Sequence, residues 1–366
     1  MEEATSPPHQ GQGAPWHASP DQARVDPDAT RSELTVDRDA LRANLRRLRA
    51  ALGPTELWAV VKADAYGHGA LTVAETALAE GAAALCVATV AEGLELRTHE
   101  PGARIVVLSP AAAGEVRAAR AGGLELTVAD GPLPEGIPLH LKVDTGMGRW
   151  GRSDVVAASP DVVGLASHLA AADSDPAFTA LQIARFREIA DRHPGLTRHL
   201  ANSAGIIRHP DSHFDAARPG LALHGLSPFG GDPAADGLRP VLSWRSRIGQ
   251  VKRLGPGEST GYGRRYVAAE PTWIGIVPVG YADGFRRDAD GAAVLVAGER
   301  CPVVGTISMD SLAVRLAGPV EPGTPVTLIG DGLLAEELAA AAGTITYELV
   351  ARLNSAPGRA RRTVTS

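Results

Sequence analysis

Short apolar runs alternate with longer, partly polar stretches from Leu34 to about Ser227. Several of the longer stretches suit crossover helices, and residues 177–193, AFTALQIARFREIADRH, carry apolar residues at helical spacing. The apolar runs have the length of buried strands, and they read LWAVV, ALCVA, IVVLS, ELTV, LHLKVD, VVGLASH, RHLAN and LALHG. Eight strands separated by helices predict an α/β fold, a TIM-like (β/α)8 barrel.

The pattern changes after the loop FGGDPAADGLRP at residues 229–240. Strand-like runs punctuated by Gly and Pro follow: VLSWRSRIGQVKRL, TWIGIVPVGY, AAVLVAGERCPVVG, SLAVRL and PVTLIG. Before the first barrel strand, SELTV reads as a strand, and Asp37 reads as the N-terminal cap of an amphipathic helix that follows it. We therefore predict a barrel domain over residues 32–238 and a mostly β domain over residues 239–366, to which the first strand also belongs.

The first 31 residues predict a disordered tail, because their Pro, Gly, Ala and Asp content cannot bury enough surface to offset the entropy of ordering. The tail begins acidic and has no hydrophobic segment, so it is not expected to be a secretory signal. No apolar run approaches the length of a membrane helix. Cys86 and Cys301 each lie in an apolar stretch and read as reduced core thiols, which favours the cytoplasm.

The 366 residues, 44% of them apolar, can bury a large core. A net charge of −6 and a pI near 6.0 argue against a nucleic-acid or anionic-membrane surface. We therefore expect the partner to be a small molecule.

Residues whose side chains can act in catalysis or binding lie where the predicted barrel strands end. Active sites of this fold are found at those strand ends. These residues are Lys62, Arg149, His168, Asn202, Ser203, and Arg218 with Gly220 just before the predicted eighth strand. Lys62 directly follows a strand that calls for burial, and a buried amine has a lowered pKa and a nucleophilic lone pair. On the pattern alone, Lys62 could instead pair with a barrel carboxylate, and His168 could be a hydrogen-bonded core histidine.

Eight motifs span both predicted domains. They are AVVKADAYGHG, LKVDTGMGRWG, SHLAAAD, HLANSAG, RPGLALHGLSP, ESTGYGRRY, PVGYADGFRR and VVGTISMD. In these motifs and in their order, the chain resembles the alanine racemase family over roughly residues 34–357. The resemblance implies a homodimer with shared active sites that uses pyridoxal 5′-phosphate to interconvert L- and D-alanine, which supplies D-alanine for peptidoglycan. No metal is implied.

By this resemblance, Lys62 binds the cofactor covalently and is also the base that acts on the D-isomer. Tyr262 matches the base on the opposite face, which acts on the L-isomer and comes from the partner subunit. Racemisation needs one base on each face of the α-carbon, because a single base tends to return the proton where it came from. A phenol is a weak base near neutrality and needs neighbouring cations, for which His168 and Arg218 are the candidates.

Other matches concern the cofactor. Arg218 corresponds to the residue that faces the pyridine nitrogen, although alone it could be a structural arginine paired with Asp215. The phosphate contacts correspond to Tyr66, Ser203 and the backbone amides of Gly220 and Leu221. His168 and Asn202 complete the expected cofactor site.

Arg149 and the backbone amide of Met309 from the partner chain match the groups that engage the substrate carboxylate. By the same resemblance, Arg149 also lies near the phenolic oxygen of the cofactor, and Tyr281 matches a tyrosine that narrows the entrance. Lys142 corresponds to a lysine that carries a carbamate in some members. The chain departs from the family pattern at Ser355, where some members have a tyrosine that contacts the phosphate, and at His224, which replaces a tyrosine.

Three other functions compete with this one. A racemase of the same group could act on serine, lysine or several amino acids, because one methylene changes binding by only about 1–3 kcal/mol. A non-catalytic pyridoxal phosphate carrier would lack the second domain, so Tyr262 and Met309 within a full β domain speak against it. A fold-related decarboxylase would need different motifs around that domain, and none of them is found.

Overall fold

The computed structural model describes residues 30–153, 155 and 159–366, so the predicted tail lies almost wholly outside the described residues. The described chain forms a closed parallel barrel and a nine-stranded sheet, which confirms the predicted fold class. In the described part, no helix is both long and apolar enough to cross a bilayer. Cys86 and Cys301 are both buried free thiols.

Eight short parallel strands close the barrel, and β2 pairs with β9 to complete the ring. Their side chains are largely buried, as expected for strands covered on both faces. The strands are β2 (Glu56–Val60), β3 (Ala84–Val87), β4 (Ile105–Val107), β5 (Glu125–Val128), β6 (Leu139–Lys142), β7 (Val162–Ala166), β8 (Thr197–His199) and β9 (Ala216–Ala217).

The helices of the barrel domain begin with α1, whose first turn is capped by the Asp37 side chain accepting from the Ala40 amide at 2.8 Å, as predicted. They are α1 (Arg38–Leu52), the short left-handed segment α2 (Lys62–Tyr66), α3 (Ala70–Ala79), α4 (Val90–His99), α5 (Val116–Ala121), α6 (Pro176–Ala190) and α7 (Ser203–Arg208).

The predicted eighth strand, LALHG, is wrong. Residues Leu221–His224 form a 3₁₀ turn, and the eighth strand is the two-residue segment Ala216–Ala217. The turn is apolar because it packs against α1, where the Asn44 side chain donates to the Leu223 carbonyl at 3.1 Å. Arg218 and Gly220 consequently follow the eighth strand, which still leaves them at the same end of the barrel as Lys62.

The second sheet has the order β11-β14-β17-β16-β15-β18-β10-β1-β19. Its strands are β1 (Ser32–Asp37), β10 (Leu242–Arg247), β11 (Gln250–Leu254), β14 (Thr272–Val277), β15 (Ala293–Val296), β16 (Glu299–Val304), β17 (Leu312–Leu316), β18 (Pro325–Ile329) and β19 (Ala360–Thr365). A small hairpin, β12 (Ser259–Thr260) with β13 (Tyr266–Val267), and helices α8 (Ala335–Ala341) and α9 (Thr346–Ala351) complete this region. The strand β1 pairs with β10 and β19, while the exact division at residues 238 and 239 stays a prediction.

Candidate active site

A cavity of about 160 Å³ opens where the barrel strands end. It collects residues that follow different strands, because the carboxyl ends of parallel strands meet at one face. Five of the predicted site residues line it: Lys62, Lys142, Arg149, His168 and Arg218. No carboxylate is among the described residues that line it.

The two lysines of the cavity have lowered pKa values. Burial, reinforced by the nearby Arg149, lowers the pKa of Lys62. Burial together with Arg218 lowers the pKa of Lys142 to about 8. Within the described part of the chain, Lys62 makes no ion pair with a carboxylate, which removes the alternative of a purely structural pair.

Arg218 is held almost completely buried at the bottom of the cavity. Its Nη2 donates to the Ser167 carbonyl at 2.6 Å and lies 3.4 Å from His168 Nδ1, while Nη1 donates to His199 Nδ1 at 2.6 Å. Burial lowers the pKa of Arg218 to about 10, so it stays charged near neutrality. Asp215 pairs with Arg198 instead, at 2.8 Å, so the alternative pairing of Arg218 with Asp215 is wrong.

Arg149 reaches the cavity from the loop DTGMGRWG. The Asp144 carboxylate organises this loop by accepting from the amides of Gly146 and Met147, both at 2.9 Å, and from Gly148. The loop leaves Arg149 exposed at the mouth of the cavity. A cation held there can meet an incoming anion without first breaking an internal ion pair.

The segment after Lys62 is a left-handed turn, in which Ala63, Asp64, Ala65 and Tyr66 have φ values from 51° to 55°. This conformation costs roughly 1–2 kcal/mol for each residue that is not glycine. Part of the cost is offset by the Glu92 carboxylate, which accepts from the Ala63 amide at 2.8 Å. The turn brings the Tyr66 ring against Gly220, where an added Cβ would lie 2.4 Å from the Tyr66 hydroxyl.

Beside this contact lies a group of backbone and hydroxyl donors. Ser203 Oγ accepts from the amides of Gly220 and Ala222, both at 3.1 Å, and retains its own proton to donate outward. Burial raises the pKa of Tyr66, so its hydroxyl is also a donor. Asn202 caps α7 through its side-chain oxygen, which accepts from the Gly205 amide at 2.9 Å.

Three predicted site residues lie on an exposed face formed by turns and loops of the C-terminal region, and not in the cavity. Tyr262, Tyr281 and Met309 are 73%, 42% and 51% exposed. One loop, residues 305–310, gathers them: the Thr306 hydroxyl donates to the Tyr262 carbonyl at 2.8 Å, and the Tyr281 amide donates to the Ser308 carbonyl at 3.1 Å. Within a single chain, this face and the cavity are separate features.

The two positions that depart from the family pattern have local partners. The Ser355 hydroxyl accepts from Arg362 at 2.8 Å. The His224 ring stacks on His68 at 4.2 Å and lies 5.1 Å from the Tyr66 ring. Tyr347 of α9 also packs on Tyr66, with 6.0 Å between the ring centres.

Sequence reasoning missed several residues of the site. His199 lines the cavity behind Arg218, and the Ala222 amide joins the donors on Ser203. A signal for His199 was available, since a histidine that interrupts a buried strand needs a hydrogen-bond partner. Nothing in the sequence distinguishes the Ala222 amide from its neighbours.

Comparison with known proteins identifies both domains of the chain. Residues 36–228 match the model of the alanine racemase N-terminal domain, and residues 241–362 match that of the C-terminal domain. An alanine racemase of Symbiobacterium thermophilum is 41% identical, over 86% of this chain and 93% of its own length.

Solved structures are similar over nearly the whole chain. The biosynthetic alanine racemase of Pseudomonas aeruginosa superposes with a TM-score of 0.85 at 35% identity, covering 92% of this chain and 99% of its own. The alanine racemase of Streptomyces coelicolor also gives 0.85, at 37% identity and covering 93% and 100% of the two chains. Both domains, in one continuous order, are therefore shared with these proteins, and this chain belongs to the alanine racemase family.

Proposed function

We propose that this protein is a cytoplasmic, pyridoxal 5′-phosphate-dependent alanine racemase that interconverts L- and D-alanine and supplies D-alanine for peptidoglycan. The observation that carries the proposal is the cavity in which Lys62, Lys142, Arg149 and Arg218 face one another without a carboxylate among its described lining residues. Such an arrangement suits a ligand with several negative charges, and the cofactor has a phosphate while the substrate has a carboxylate.

The chemistry of the donors fits the cofactor's phosphate. Ser203, Tyr66 and the amides of Gly220 and Leu221 would hold it, because hydroxyls and main-chain N–H groups serve at phosphate sites of barrel folds. The absence of a side chain at Gly220 leaves room for the Tyr66 hydroxyl. When bound, the cofactor supplies an electron sink that stabilises negative charge at the substrate α-carbon.

Lys62 would hold the cofactor through its aldehyde and then exchange the α-proton on one face of the substrate. Its lowered pKa increases the fraction of free amine near neutrality, and that amine is the form able to accept a proton. Arg149 would orient the substrate carboxylate from the mouth of the cavity. Arg218 would face the pyridine nitrogen with a guanidinium, which does not readily give up its proton.

The base on the other face would be Tyr262 of the partner subunit. Support comes from the exposed face that carries Tyr262, Tyr281 and Met309, because exposed aromatic and methionine side chains are enriched at protein interfaces. We infer a homodimer in which this face covers the cavity of the other chain. His168 would lie next to the phenol as a neutral ring and not as the expected cation, because burial and Arg218 lower its pKa well below its usual range. Arg218 is then the cation near the phenol.

Lys142 is proposed to carry a carbamate that faces Arg149. The neutral amine is the form that reacts with carbon dioxide, and the pKa of about 8 makes part of Lys142 neutral near pH 7. Carbon-13 NMR after incubation with labelled bicarbonate should give a carbamate signal that is missing from Lys142→Met. A wild-type spectrum without that signal would remove the carbamate from the proposal.

The test of function follows the α-proton of L-alanine by NMR in heavy water, with chiral analysis of the product. Exchange accompanied by D-alanine is expected from the wild-type protein. The Tyr262→Phe variant should lose about 10²–10⁴-fold of the rate in the L-to-D direction, the usual contribution of a positioned acid or base. A Tyr266→Phe variant, in the same hairpin region, is the matched control and should keep the rate.

Other outcomes would redirect the proposal. If alanine does not react while serine or lysine racemises, the enzyme is a racemase of broader or different specificity. If no amino acid reacts although the cofactor is bound, the protein is a carrier and the catalytic proposal is wrong.

A further inference from the structure

A continuous chain of hydrogen bonds crosses the inside of the barrel from Arg218 to Glu125. Arg218 Nη1 lies 2.6 Å from His199 Nδ1, and His199 Nε2 lies 2.9 Å from His140 Nδ1. His140 Nε2 lies 2.7 Å from a carboxylate oxygen of Glu125. We call these four residues the barrel relay. Its first member lines the cavity, and its last member begins β5 at the opposite end of the barrel.

The two ends of the relay fix the direction of every hydrogen bond in it. A guanidinium can only donate, so His199 Nδ1 must accept and the proton of His199 lies on Nε2. His140 then accepts at Nδ1 and donates from Nε2 to Glu125. Both imidazoles are therefore held in one tautomer by groups on opposite sides of the barrel.

The protonation states of the histidines and of Glu125 agree with this direction of hydrogen-bond donation. Burial lowers the pKa of His140, and burial with Arg218 lowers that of His199 well below its usual range, so both rings are neutral. Burial alone would raise the pKa of Glu125, but hydrogen bonds from His140 and Arg104 lower it to about 2. The relay thus places a fixed carboxylate opposite a fixed guanidinium, with two neutral rings between them.

The barrel is built around the relay. Gly164 leaves the room that the His140 ring occupies, since an added Cβ would lie 2.3 Å from its Nδ1. The Trp58 ring packs against both imidazoles, with centres 4.6 Å from His199 and 5.6 Å from His140. Arg104 fixes the carboxylate of Glu125 with two hydrogen bonds, at 2.7 and 3.0 Å.

We propose that His140 and Glu125 are positioning residues for Arg218: the carboxylate at the far end of the barrel, acting through two neutral imidazoles, sets the orientation of the guanidinium that faces the ligand. Neither residue lines the cavity as the described residues define it, so neither acts on the substrate directly. This inference rests on the proposed function for the ligand that Arg218 meets, but the hydrogen-bond chain can be tested without it.

The first test is nitrogen-15 NMR of the full-length protein with labelled histidine, recorded before and after addition of pyridoxal 5′-phosphate. His140 and His199 should both be neutral with the proton on Nε2 in each state. The Glu125→Gln variant keeps an acceptor oxygen for His140 but removes the charge, so it should fold and shift both imidazole signals. A proton on Nδ1 of His199 in the wild-type protein would overturn the relay.

The second test measures alanine racemisation and the absorbance of the bound cofactor in Glu125→Gln. We expect kcat to fall about tenfold, KM to change less than twofold and the absorbance band to shift, because hydrogen bonds to charged groups have effects of this size. Glu125→Asp, which keeps the charge, should recover part of kcat. A His140→Phe variant removes the link itself and should reproduce the loss.

Asp215→Asn is the matched control, since Asp215 forms a similar two-bond pair with Arg198 and does not join the relay. It should leave kcat and the absorbance band unchanged. An equal loss in Asp215→Asn, or wild-type kcat and absorbance in both Glu125→Gln and His140→Phe, would overturn the positioning role. Absence of racemisation by the wild-type protein would instead contradict the proposed function, and the NMR result would stand separately.

Discussion

The two ends of the barrel treat charge in opposite ways. At the carboxyl ends of the strands, Lys62, Lys142, Arg149 and Arg218 line one cavity whose described residues include no carboxylate. At the other end, arginines are paired: Arg104 contacts Glu125 at 2.7 Å and Glu56 at 3.7 Å, and Arg198 contacts Asp215 at 2.8 Å. The same fold thus holds one set of charges that is balanced internally and one that is not.

This difference separates a stabilising role from a binding role. We call the cavity end of the barrel the open end and the opposite end the closed end. The charges at the closed end already have partners of opposite sign in the folded chain and require no ligand. The cations at the open end repel one another, and this repulsion destabilises the folded state until an anion binds. An anionic cofactor or substrate should therefore stabilise the open end strongly and the closed end very little.

The largest expected effect comes from removing the amine at the open end. The variant Lys62→Ala should lose at least about 10²–10⁴-fold of the racemisation rate, because both covalent attachment and one base disappear. Borohydride reduction of the holoenzyme should attach the cofactor to the peptide that contains Lys62.

The sequence has only three lysines, Lys62, Lys142 and Lys252, so the lysine that binds the cofactor can be identified by substituting each in turn. Lys252 lies exposed on β11, and Lys252→Ala should keep full activity. Labelling of Lys142 in place of Lys62 would reverse the roles assigned to the two cavity amines.

A smaller effect is expected from filling the space at Gly220. An alanine there would place its Cβ 2.4 Å from the Tyr66 hydroxyl, so the tyrosine must move away from the proposed phosphate site. Overpacking typically costs about 1–3 kcal/mol, and the affinity for pyridoxal 5′-phosphate should fall about tenfold or more. Absorbance titration of the cofactor-free chain measures this affinity. Gly231→Ala, with open space around it, should bind normally, and normal binding by Gly220→Ala would refute the phosphate assignment.

A further effect concerns the dependence of the free energy of unfolding on pH. The folded chain lowers the pKa of Lys142 to about 8 through burial and Arg218, so between pH 8 and the usual value of about 10.5 the unfolded chain binds more protons. In buffer free of carbon dioxide, where Lys142 is a free amine, the free energy of unfolding should therefore rise with pH across that window, by at most about 3 kcal/mol. Urea unfolding of cofactor-free wild type and Lys142→Met in that buffer measures it, and the variant should lack this part of the rise. In bicarbonate buffer at pH 7, a variant that is less stable than the wild type would favour a carbamate on Lys142.

Asp215→Asn gives the contrast at the closed end. The hydrogen bond from Arg198 lowers the pKa of Asp215, so this pair stabilises the protein above the unfolded pKa and loses the effect as pH falls through the folded one. The variant should be less stable by up to about 1 kcal/mol near pH 7, with a difference that vanishes in acid.

Much of the fold follows from the apolar pattern, because barrel strands buried on both faces appear as continuous apolar runs. The exception is β9, which has only two residues, Ala216 and Ala217, and is too short to give an apolar run. The segment Leu221–His224 is more apolar because it packs on α1. A local pattern reports that a segment is buried but does not report what buries it.

The site was predictable only in part. Lys62 stands out because an amine after a buried strand calls for an explanation, whereas Tyr262 and Met309 are ordinary exposed residues without the family resemblance. The left-handed turn over residues 63–66 gives no sequence signal, since ADAY contains no glycine. The relay joins β5, β6 and β8 inside the barrel, and the apolar pattern does not show which side chains of these strands meet there.

The position of β1 has a consequence for how the protein is made. This strand lies between β10 and β19, and its Thr35 meets Thr363, 328 positions later, at 3.3 Å. A ribosome releases β1 first and β19 last, so the strand must wait with an open edge while the barrel emerges and folds. Such distant pairing is slow to form and leaves the edge of β1 that pairs with β19 exposed until β19 has emerged.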